Sequence, residues 1–511
     1  MNLELEKQYL KLQNGSDVRG IAMEGVEDEH VNLTPEIAKY IAAAFSEFVA
    51  ERCGKEKTEL TISVGHDSRL TAGMIKAGVL EGIQVQGSKG IDCALSSTPS
   101  MFMSTILPEL NYDGAVMITA SHLPFNRNGL KFFLKEGGLE SKDIKVLLKR
   151  AAEIAENGIE AGEIQEIECV DLISHYSANL RQIICREIGA VEEEKPLTGM
   201  HFVVDAGNGA GGFFATKVLE PLGADISGSV CLDPDGTFPN HVPNPENAKA
   251  MDSIRKATLE SHADLGIIFD TDVDRAATVF ASGKEINRNA LIAMMGAIVA
   301  RTNPGSTVVT DSVTSDQLKE FLETKLGLVH HRFKRGYRNV INESVRLNKE
   351  GIESCLAIET SGHGALKENY FLDDGAYMSV KILCEAVRAK RAGRSIEDML
   401  AGLKEAAESK EYRFAIRLDE FKDYGLKVLD EFKEFAKGDE RFHIVEPNYE
   451  GVRISFSDEE VQGWVLIRMS LHDPILPMNI ETEKEGGVAV ILERLRPFFT
   501  KCEHLDVKGI F

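Results

Sequence analysis

The 511-residue sequence predicts an α/β protein of four domains: three repeated α/β units with mixed sheets, then a C-terminal antiparallel α+β domain, around one central cleft. At roughly 150 residues per domain, the length allows three or four domains. One strand–loop–strand–loop plan occurs three times, and alternating segments such as VRISF and WVLIRMSL follow after about Glu408. The predicted domains span residues 1–190, 191–285, 286–408 and 409–511.

Each repeat begins with a short apolar strand that runs into a turn: LTISVG, HFVVD and STVVT. A second apolar strand follows in each: GAVMI before TASH, LGIIF before DTDVDR, and CLAI before ETSGH. Helical patterns lie between them, at Gly73–Val85, Gly212–Leu222 and Asp316–Lys325. Ligands bind beyond the carboxyl ends of strands in such sheets, so we expect equivalent loops with different chemistry to share one cleft. The alternative is three independent domains with ordinary turns.

The composition limits the partners and the compartment. Hydrophobic residues make up 43% of the chain and the formal net charge is −23, which disfavours nonspecific binding to nucleic acid or to anionic membrane. The N-terminal residues lack the features of a secretory signal, and no apolar run is long enough to span a membrane. The eight scattered cysteines are expected to be reduced core thiols, and Lys135–Glu168 to be a solvated amphipathic helix. We expect a soluble, cytoplasmic protein.

The segment Ile118–Phe133 places Ser121 and His122 directly after a strand, with Arg127 and Lys131 nearby. A serine hydroxyl is a poor nucleophile unless it is activated or carries a phosphoryl group. The absence of a GxSxG motif argues against an α/β-hydrolase. A Ser/His pair that merely caps a turn is the alternative, but the two cations favour phosphate chemistry.

Asp270, Asp272 and Asp274 form a D-x-D-x-D pattern directly after an apolar strand, followed by Arg275. Three carboxylates on one tight loop repel each other unless a cation lies among them, and oxygen ligands suit Mg²⁺. The pattern does not fit an EF-hand. A phosphatase loop with Asp270 as nucleophile is a competing interpretation, and a solvated acidic turn is another.

Two further loops carry polar groups. Glu359, Ser361 and His363 in ETSGHGA alternate along a loop and could hold the hydroxyl groups of a sugar, although the pattern alone is weak. Near the C-terminus, RMSLHDP offers a guanidinium and a hydroxyl group that could bind phosphate. An ordinary strand turn with a buried Arg–Asp473 pair is the alternative there.

Together and in this order, these loops resemble the α-D-phosphohexomutase superfamily, the phosphoglucomutase/phosphomannomutase enzymes. The resemblance covers almost the whole chain, and its markers are NGSDVRG, VGHDSR, TASHLPFNRNGLK, DTDVDR, KRGYR, ETSGH and RMSLHDP. It implies an isomerase of carbohydrate metabolism that interconverts hexose 1-phosphate and hexose 6-phosphate through a phosphoserine and a bisphosphate intermediate. Glucose and mannose phosphates are the expected substrates.

The resemblance also implies roles for individual residues. Phosphorylated Ser121 would transfer the phosphoryl group, and one Mg²⁺ would be held by Ser121, Asp270, Asp272 and Asp274. Lys131, preferred over His122, would act as general acid and base, which for a lysine requires a lowered pKa. Arg19 and Arg275 would steady the transferring group. The implied substrate-binding residues are Glu359, Ser361, His363, Lys334, Arg338, Arg468, Ser470 and His472.

The sequence departs from the family in two places. Leu471, His472 and Asp473 stand where the terminal phosphate loop usually has small polar residues, and His66 stands where the family often has arginine. These departures leave the chemistry intact and the choice of substrate open. The alternatives are a phosphoglucosamine mutase, a hydrolase acting through Asp270, and a non-catalytic sugar-phosphate-binding paralogue. Hexose 1,6-bisphosphate is a candidate activator, and a monomer or homodimer is expected.

The charge sets one further expectation. The site loops hold many of the cations of an acidic chain, so we expect a locally basic cleft inside an acidic protein.

Overall fold

The computed structural model describes residues 2–159, 166–470 and 473–511. Contacts divide the chain into a first unit of residues 1–298 and 361–399 and a second unit of residues 299–360 and 400–511. Within the described ranges the strands lie in four sheets, which follow one another along the chain.

The first sheet is mixed, in the order β1-β2-β6-β5-β3-β4-β8 with β7 paired to β6. Its strands β3, β4, β5 and β8 pair in parallel, while β1, β2 and β6 pair antiparallel. The bounds are β1 (Gln13–Asn14), β2 (Asp17–Ile21), β3 (Thr61–His66), β4 (Lys89–Leu95), β5 (Gly114–Ile118), β6 (Arg127–Leu134), β7 (Gly137–Gly138) and β8 (Glu168–Cys169).

Six helices accompany the first sheet in the described ranges: α1 (Leu3–Leu10), α2 (Pro35–Cys53), α3 (Ala72–Val85), α4 (Thr98–Met103), α5 (Ser141–Asn157) and α6 (Leu172–Ile188). Local sequence sets the ends of α2, because Thr34 Oγ1 accepts a hydrogen bond from Ile37 N and Gly54 ends the helix at φ 65°. The buried side of α2 places Phe45 4.8 Å from the Phe132 ring of β6. Of the predicted helix Lys135–Glu168, residues 160–165 lie outside the described part of the chain.

The second sheet has the order β12-β11-β10-β9, with β9 and β10 parallel and the other pairs antiparallel. Its elements are β9 (Phe202–Asp205), β10 (Leu265–Phe269), β11 (Ala276–Phe280), β12 (Glu285–Ile286), α7 (Ala248–Glu260) and α8 (Asn289–Thr302). Helix α11 (Gly375–Arg391) packs on β10 and β11 in the same unit, after the short strand β16 (Gly364–Leu366). The predicted helix Gly212–Leu222 is a π-helical segment, Phe214–Leu219, followed by a 3₁₀ turn.

In the second unit, three strands of the third sheet are neighbours in the order β14-β13-β15, and they are all parallel. Its elements are β13 (Thr307–Thr310), α9 (Asp316–Glu320), β14 (Val329–Arg332), α10 (Tyr337–Lys349) and β15 (Ser354–Ile358). A π-helical segment, Phe321–Lys325, continues α9 through the rest of the helix predicted there.

The fourth sheet is antiparallel throughout, in the order β17-β21-β20-β19-β18. Its elements are β17 (Glu408–Ala415), α12 (Phe421–Lys437), β18 (His443–Ile444), β19 (Val452–Ser457), β20 (Gln462–Ile467), β21 (Ile475–Thr482) and α13 (Gly487–Phe499). Buried Arg453 ties this sheet to the third, since it stacks 3.7 Å from the Trp464 ring and donates to the carbonyl oxygens of Ser312 and Thr314.

The predicted repeat is confirmed at the level of strand pairing. The two predicted strands of each of the three repeats are parallel neighbours: β3 with β5, β9 with β10, and β13 with β15. Their carboxyl ends therefore meet at one edge of each sheet, where the polar loops follow. The fold class of three α/β units and a C-terminal antiparallel α+β domain is likewise confirmed.

Two smaller expectations also have outcomes. All eight cysteines are free, but Cys53 and Cys169 are exposed and so are not core thiols. In the described ranges, no helix is both long enough and apolar enough to cross a membrane.

Candidate active site

The serine loop, which we define as Thr119–Asn126, connects β5 to β6 in the first sheet. Because β3 pairs in parallel with β5, the turn that follows β3 meets this loop at the same edge. Ser121 is 8% exposed and has a φ of 51°. A positive φ is uncommon for a residue with a side chain, so the surrounding contacts must hold it there.

Ser121 Oγ lies between a carboxylate and a guanidinium. It donates a hydrogen bond to Asp270 Oδ2 at 3.0 Å and accepts one from Arg275 Nη2 at 2.6 Å. His122 Nδ1 lies 3.4 Å from the same oxygen. The structure therefore brings together four of the residues that the sequence predicts for one site, from loops about 150 positions apart.

Buried Arg69 supports the serine loop from behind. Its Nη1 donates to the carbonyl oxygens of Pro124 and Arg127, both at 2.9 Å. Its Nη2 donates to the carbonyl oxygens of Leu123, at 2.8 Å, and of Ser121. One guanidinium thus satisfies four backbone acceptors and fixes the shape of the loop.

The metal loop, Asp270–Arg275, is the tight turn between β10 and β11. The register pairs Phe269 with Ala276, so only the six loop residues separate the two strands. Asp270, Asp272 and Asp274 are all buried and can bring their ligand oxygens within 4.8 Å of one another. Thr98 of α4 donates to Asp272 Oδ2 at 2.5 Å and helps to hold the loop in place.

Burial and the mutual repulsion of these carboxylates shift their pKa values. Burial, opposed by Arg275 and assisted by the other two aspartates, raises the pKa of Asp270 to about 8. Burial also acts on Asp272, but the nearby Lys131 ammonium group outweighs it and lowers the pKa of Asp272. The loop thus favours the binding of additional positive charge at neutral pH.

The donor set fits Mg²⁺. Among the described residues, Asp272 Oδ1 and Asp274 Oδ1 are buried and have no hydrogen-bond partner. Such oxygens are costly to bury unless a cation satisfies them, and carboxylate oxygens are the ligands that Mg²⁺ prefers. Asp270, Asp272 and Asp274 can therefore supply the protein ligands of a magnesium site.

Lys131 and Arg19 reach the site from the neighbouring strands β6 and β2. Lys131 Nζ donates to Asp272 Oδ2 at 2.8 Å and to Asp274 Oδ2 at 2.5 Å. Burial lowers the pKa of Lys131, but the two carboxylates outweigh burial and raise it well above its usual value. This direction is the reverse of the lowered pKa expected for a lysine that acts as a base.

Arg19 lies on β2 opposite Gly129 of β6. Its Nη1 donates to the carbonyl oxygen of Thr119 at 2.7 Å, and its Nη2 donates to Asp17 Oδ2 at 2.8 Å. Arg19 is therefore fixed beside the residue that begins the serine loop.

The cations near Ser121 are already paired with carboxylates. Arg19 pairs with Asp17, Arg69 with Asp67, Arg275 with Asp270, and Lys131 with Asp272 and Asp274. A bound divalent cation would add positive charge here and suit the site to a phosphate.

Arg275 also determines the state of His122. Burial and the charge of Arg275 lower the pKa of His122 to about 3, so the imidazole is neutral at physiological pH. Arg275 Nη2 lies 2.7 Å from His122 Nδ1, which makes Nδ1 the acceptor and places the ring proton on Nε2. The remaining nitrogen, Nη1, donates to Asn244 Oδ1 at 3.3 Å.

Arg127, which the sequence places beside the serine, has a different partner. Its side chain pairs with Glu29 Oε1, and the neighbouring Asn126 Nδ2 donates to Glu29 Oε2 at 2.6 Å. Its cation is thus already matched by a carboxylate.

The loop ETSGH contributes to both units. In the first unit, buried Ser361 leads into His363, which pairs with Arg275 in an isolated β-bridge and donates from Nδ1 to Asp373 Oδ2 at 2.5 Å. Burial lowers the pKa of His363, but Asp373 and Asp274 outweigh it and raise the pKa to about 9.

In the second unit, buried Glu359 meets the KRGYR segment, because Gly336 N donates to Glu359 Oε1 at 2.6 Å. In this segment Lys334 is exposed and Arg338 is half-buried at the start of α10. Glu450 of the C-terminal domain joins the same region by accepting from Arg335 N at 3.2 Å and from Ser312 Oγ.

The terminal loop follows β20, also in the second unit. Arg468 is 7% exposed, and burial lowers its pKa. Asp473 N donates to Ser470 Oγ at 3.1 Å, so the serine side chain caps the turn. Leu471 and His472, which the sequence singles out as a departure and a phosphate ligand, lie outside the described residues.

Sequence reasoning missed several residues that shape the site. Thr98 and Asn244 are far from the motifs in sequence and carry no signal that marks them. Thr119 is different, because it lies two residues before Ser121 and its hydroxyl accepts from Ser121 N at 2.8 Å. Its position next to the predicted nucleophile was a usable signal.

Comparisons with known proteins cover most of the chain. Three family models match: phosphoglucomutase/phosphomannomutase alpha/beta/alpha domain I at residues 10–158, domain II at 175–283 and domain III at 287–406. A phosphoglucomutase/phosphomannomutase of Thermococcus kodakarensis is 30% identical over 94% of this chain and 97% of its own. A phosphomannomutase/phosphoglucomutase of Pseudomonas putida is 27% identical over 87% of this chain and 88% of its own.

A crystal structure of a phosphoglucomutase/phosphomannomutase family protein from Burkholderia thailandensis has a TM-score of 0.76 at 25% identity, covering 97% of this chain and 98% of its own. These matches confirm the resemblance first seen in the motifs. The chain belongs to the phosphoglucomutase/phosphomannomutase family, within the α-D-phosphohexomutase superfamily.

Proposed function

We propose that this protein is a phosphosugar mutase that interconverts hexose 1-phosphate and hexose 6-phosphate through a phosphoserine at Ser121. The observation that carries the proposal is the position of Ser121 Oγ, 2.6 Å from Arg275 Nη2 and 3.0 Å from an aspartate of the metal loop. Phosphoryl transfer needs alignment and neutralisation of charge more than covalent assistance, and this arrangement offers both.

The metal loop would hold one Mg²⁺ through Asp270, Asp272, Asp274 and a phosphate oxygen on Ser121. When bound, the ion would neutralise charge on the phosphoryl group. Arg275 and Arg19 would orient that group from the other side. The Oγ–P bond of Ser121 breaks as a P–O bond forms to a sugar hydroxyl, and the proton that the hydroxyl gives up replaces the phosphoryl group on Ser121 Oγ by way of the proton carriers. The resulting bisphosphate reorients and returns its other phosphoryl group to Ser121.

Lys131 and His122 are the proposed proton carriers, with Lys131 preferred. The raised pKa of Lys131 keeps its ammonium group protonated but makes it a weak proton donor. Its function as an acid or as a base requires that another cation first relieve its pairing with Asp272 and Asp274, because that lowers the pKa of Lys131. His122 is neutral and has Nδ1 bonded to Arg275, which supports a secondary role.

Substrate recognition is assigned by the family motifs. Glu359, Ser361 and His363 would bind sugar hydroxyl groups, and Lys334, Arg338, Arg468, Ser470 and His472 would bind the phosphate that does not react. The names of the relatives support glucose and mannose phosphates as substrates. Glucosamine phosphate remains the alternative, and hexose 1,6-bisphosphate is the proposed activator. We also propose a cytoplasmic location and a monomer or homodimer.

The experiment compares turnover of glucose 1-phosphate and mannose 1-phosphate by the wild type and by Ser121→Ala. We expect the variant to lose at least about 10³-fold in kcat. Ser46→Ala is the matched control, because Ser46 is a buried serine of α2 whose hydroxyl donates to Ala42 O of the same helix at 3.3 Å. Undiminished turnover in Ser121→Ala would overturn the phosphoserine mechanism and favour Asp270 as the nucleophile.

A further inference from the structure

Thr119 occupies the point where β5 becomes the serine loop, and it is fully buried. Its hydroxyl group has two partners: it accepts from Ser121 N at 2.8 Å and donates to Asp67 Oδ2 at 2.6 Å. Its carbonyl oxygen accepts from Arg19 Nη1 at 2.7 Å. One residue therefore contacts the proposed nucleophile, a proposed phosphoryl-binding arginine and a buried carboxylate.

The conformation of Ser121 depends on these contacts. Ser121 has a φ of 51° and is only 8% exposed, so its backbone N–H needs a partner inside the protein. The Thr119 hydroxyl is that partner, and Arg69 Nη2 donates a hydrogen bond to the carbonyl oxygen of Ser121. With both backbone groups fixed, the Cα–Cβ bond is aimed so that Oγ reaches Asp270 and Arg275.

Asp67 sets the direction of the Thr119 hydroxyl. The carboxylate can only accept, so the Thr119 proton points to Asp67 and an oxygen lone pair is left facing Ser121 N. Asp67 is itself held by Arg69, whose backbone N donates to Oδ1 at 3.0 Å. The chain of bonds from Asp67 through Thr119 to Ser121 therefore has one polarity.

We propose that Thr119 is a positioning residue for phosphoryl transfer: its hydroxyl holds Ser121 in the left-handed conformation that aims Oγ at the metal loop and at Arg275. This inference rests on the proposed mutase function and deepens it. Removal of the hydroxyl would let Ser121 relax towards a negative φ, which moves Oγ out of line with the transferring group. Because in-line alignment governs this chemistry, the expected effect falls on kcat more than on KM.

The test uses two variants that differ in the hydroxyl. Thr119→Val keeps the shape and branching of the side chain and removes both hydrogen bonds, whereas Thr119→Ser keeps the hydroxyl and loses only a methyl group. We expect Thr119→Val to lower kcat by about 10- to 100-fold with KM within about twofold of wild type, and Thr119→Ser to stay within about threefold in kcat. Ser121 phosphorylation by hexose bisphosphate, followed by intact mass, should slow in parallel with kcat.

Thr258→Val is the control for the loss of a buried hydroxyl. Thr258 of α7 is equally buried and donates to Ile254 O at 2.7 Å, so its loss should lower the melting temperature and leave kcat unchanged. Wild-type kcat in folded Thr119→Val, or an equal loss in Thr119→Ser, would overturn the positioning role. If Thr119→Val does not fold, Thr119→Cys replaces it, and a kcat equal to that of Thr119→Ser would overturn the role. A wild-type chain without turnover would instead overturn the proposed function, and this role with it.

Discussion

The ammonium group of Lys131 lies 2.8 Å from Asp272 Oδ2, and the residues are 141 positions apart in the chain. The same nitrogen lies 2.5 Å from Asp274 Oδ2. Lys131 therefore pairs with two carboxylates of the metal loop. A divalent cation bound at the metal loop would compete with the Lys131 ammonium group for the oxygens of Asp272 and Asp274.

Replacement of Lys131 by methionine separates its proposed role in proton transfer from its pairing with the carboxylates of the metal loop. We expect Lys131→Met to lower kcat by at least about 100-fold, because the proposed acid is lost, while the Kd for Mg²⁺ stays the same or falls since a competing cation is gone. Kinetics at saturating Mg²⁺ and calorimetric titration of the metal check both parts. A kcat within about tenfold of wild type would contradict the assignment of Lys131 as the proton carrier.

Removal of one metal-loop carboxylate should weaken the metal. Asp272→Asn keeps the size of the side chain but removes its negative charge and one ligand oxygen, so we expect the Kd for Mg²⁺ to rise by about tenfold or more. Chelation should abolish wild-type turnover, and added Mg²⁺ should restore it. Asp171→Asn is the control, because Asp171 is 63% exposed and outside the site. Full activity in a chelator would contradict the metal assignment.

Gly129 permits the close approach of β2 and β6 that brings Arg19 to the serine loop. A Cβ atom at this position would lie 2.3 Å from Val18 O and 2.8 Å from Thr119 O, and backbone atoms cannot give way cheaply. We expect Gly129→Ala to lower both the melting temperature and kcat. Gly73→Ala is the matched control, since in the described part of the chain no atom beyond its own helix backbone and chain neighbours lies within 4 Å of the added Cβ. Unchanged kcat in folded Gly129→Ala would show that the position of Arg19 does not matter.

His241 gives the second sheet a pH-dependent contribution to stability. Burial lowers its pKa, but hydrogen bonds from Nε2 to Asp205, at 3.0 and 3.1 Å, outweigh burial and raise it to about 10. Because the pKa is raised in the folded state, His241 stabilises the fold fully below its unfolded pKa of about 6.5. This stabilisation is lost as the pH rises through about 10.

The comparison that checks this is urea unfolding of wild type and His241→Gln between pH 6 and pH 10. We expect the wild type to have the higher free energy of unfolding. The difference from the variant should be largest at pH 6 and should shrink as the pH rises. A difference that grows towards pH 10 would show that His241 is not held as an imidazolium ion.

The sequence predicts those parts of the site that are contiguous in the chain. Asp270, Asp272 and Asp274 are recognisable because they follow LGIIF directly, and such an apolar run ends at the edge where ligands bind. Lys131 and Ser121 are likewise recognisable together, because they lie in one loop-and-strand segment.

Long-range pairs of residues leave no mark in the sequence. Thr98 lies 174 positions from Asp272, and no pattern in either segment marks the other. Arg127 looked like a cation for phosphate, but Glu29, 98 positions away, already pairs with it. The predicted helix Gly212–Leu222 was right in being helical, but side-chain periodicity does not reveal a π-helical hydrogen-bond register.

The most direct measurement follows one phosphoryl group. Protein phosphorylated with ³²P is mixed with unlabelled glucose 1-phosphate or mannose 1-phosphate in a single turnover, and the label is located by peptide mass spectrometry and sugar chromatography. We expect the label to begin on the Ser121 peptide and to appear in hexose 1,6-bisphosphate at a rate consistent with kcat. Label found on Asp270, or released only as inorganic phosphate, would contradict this expectation.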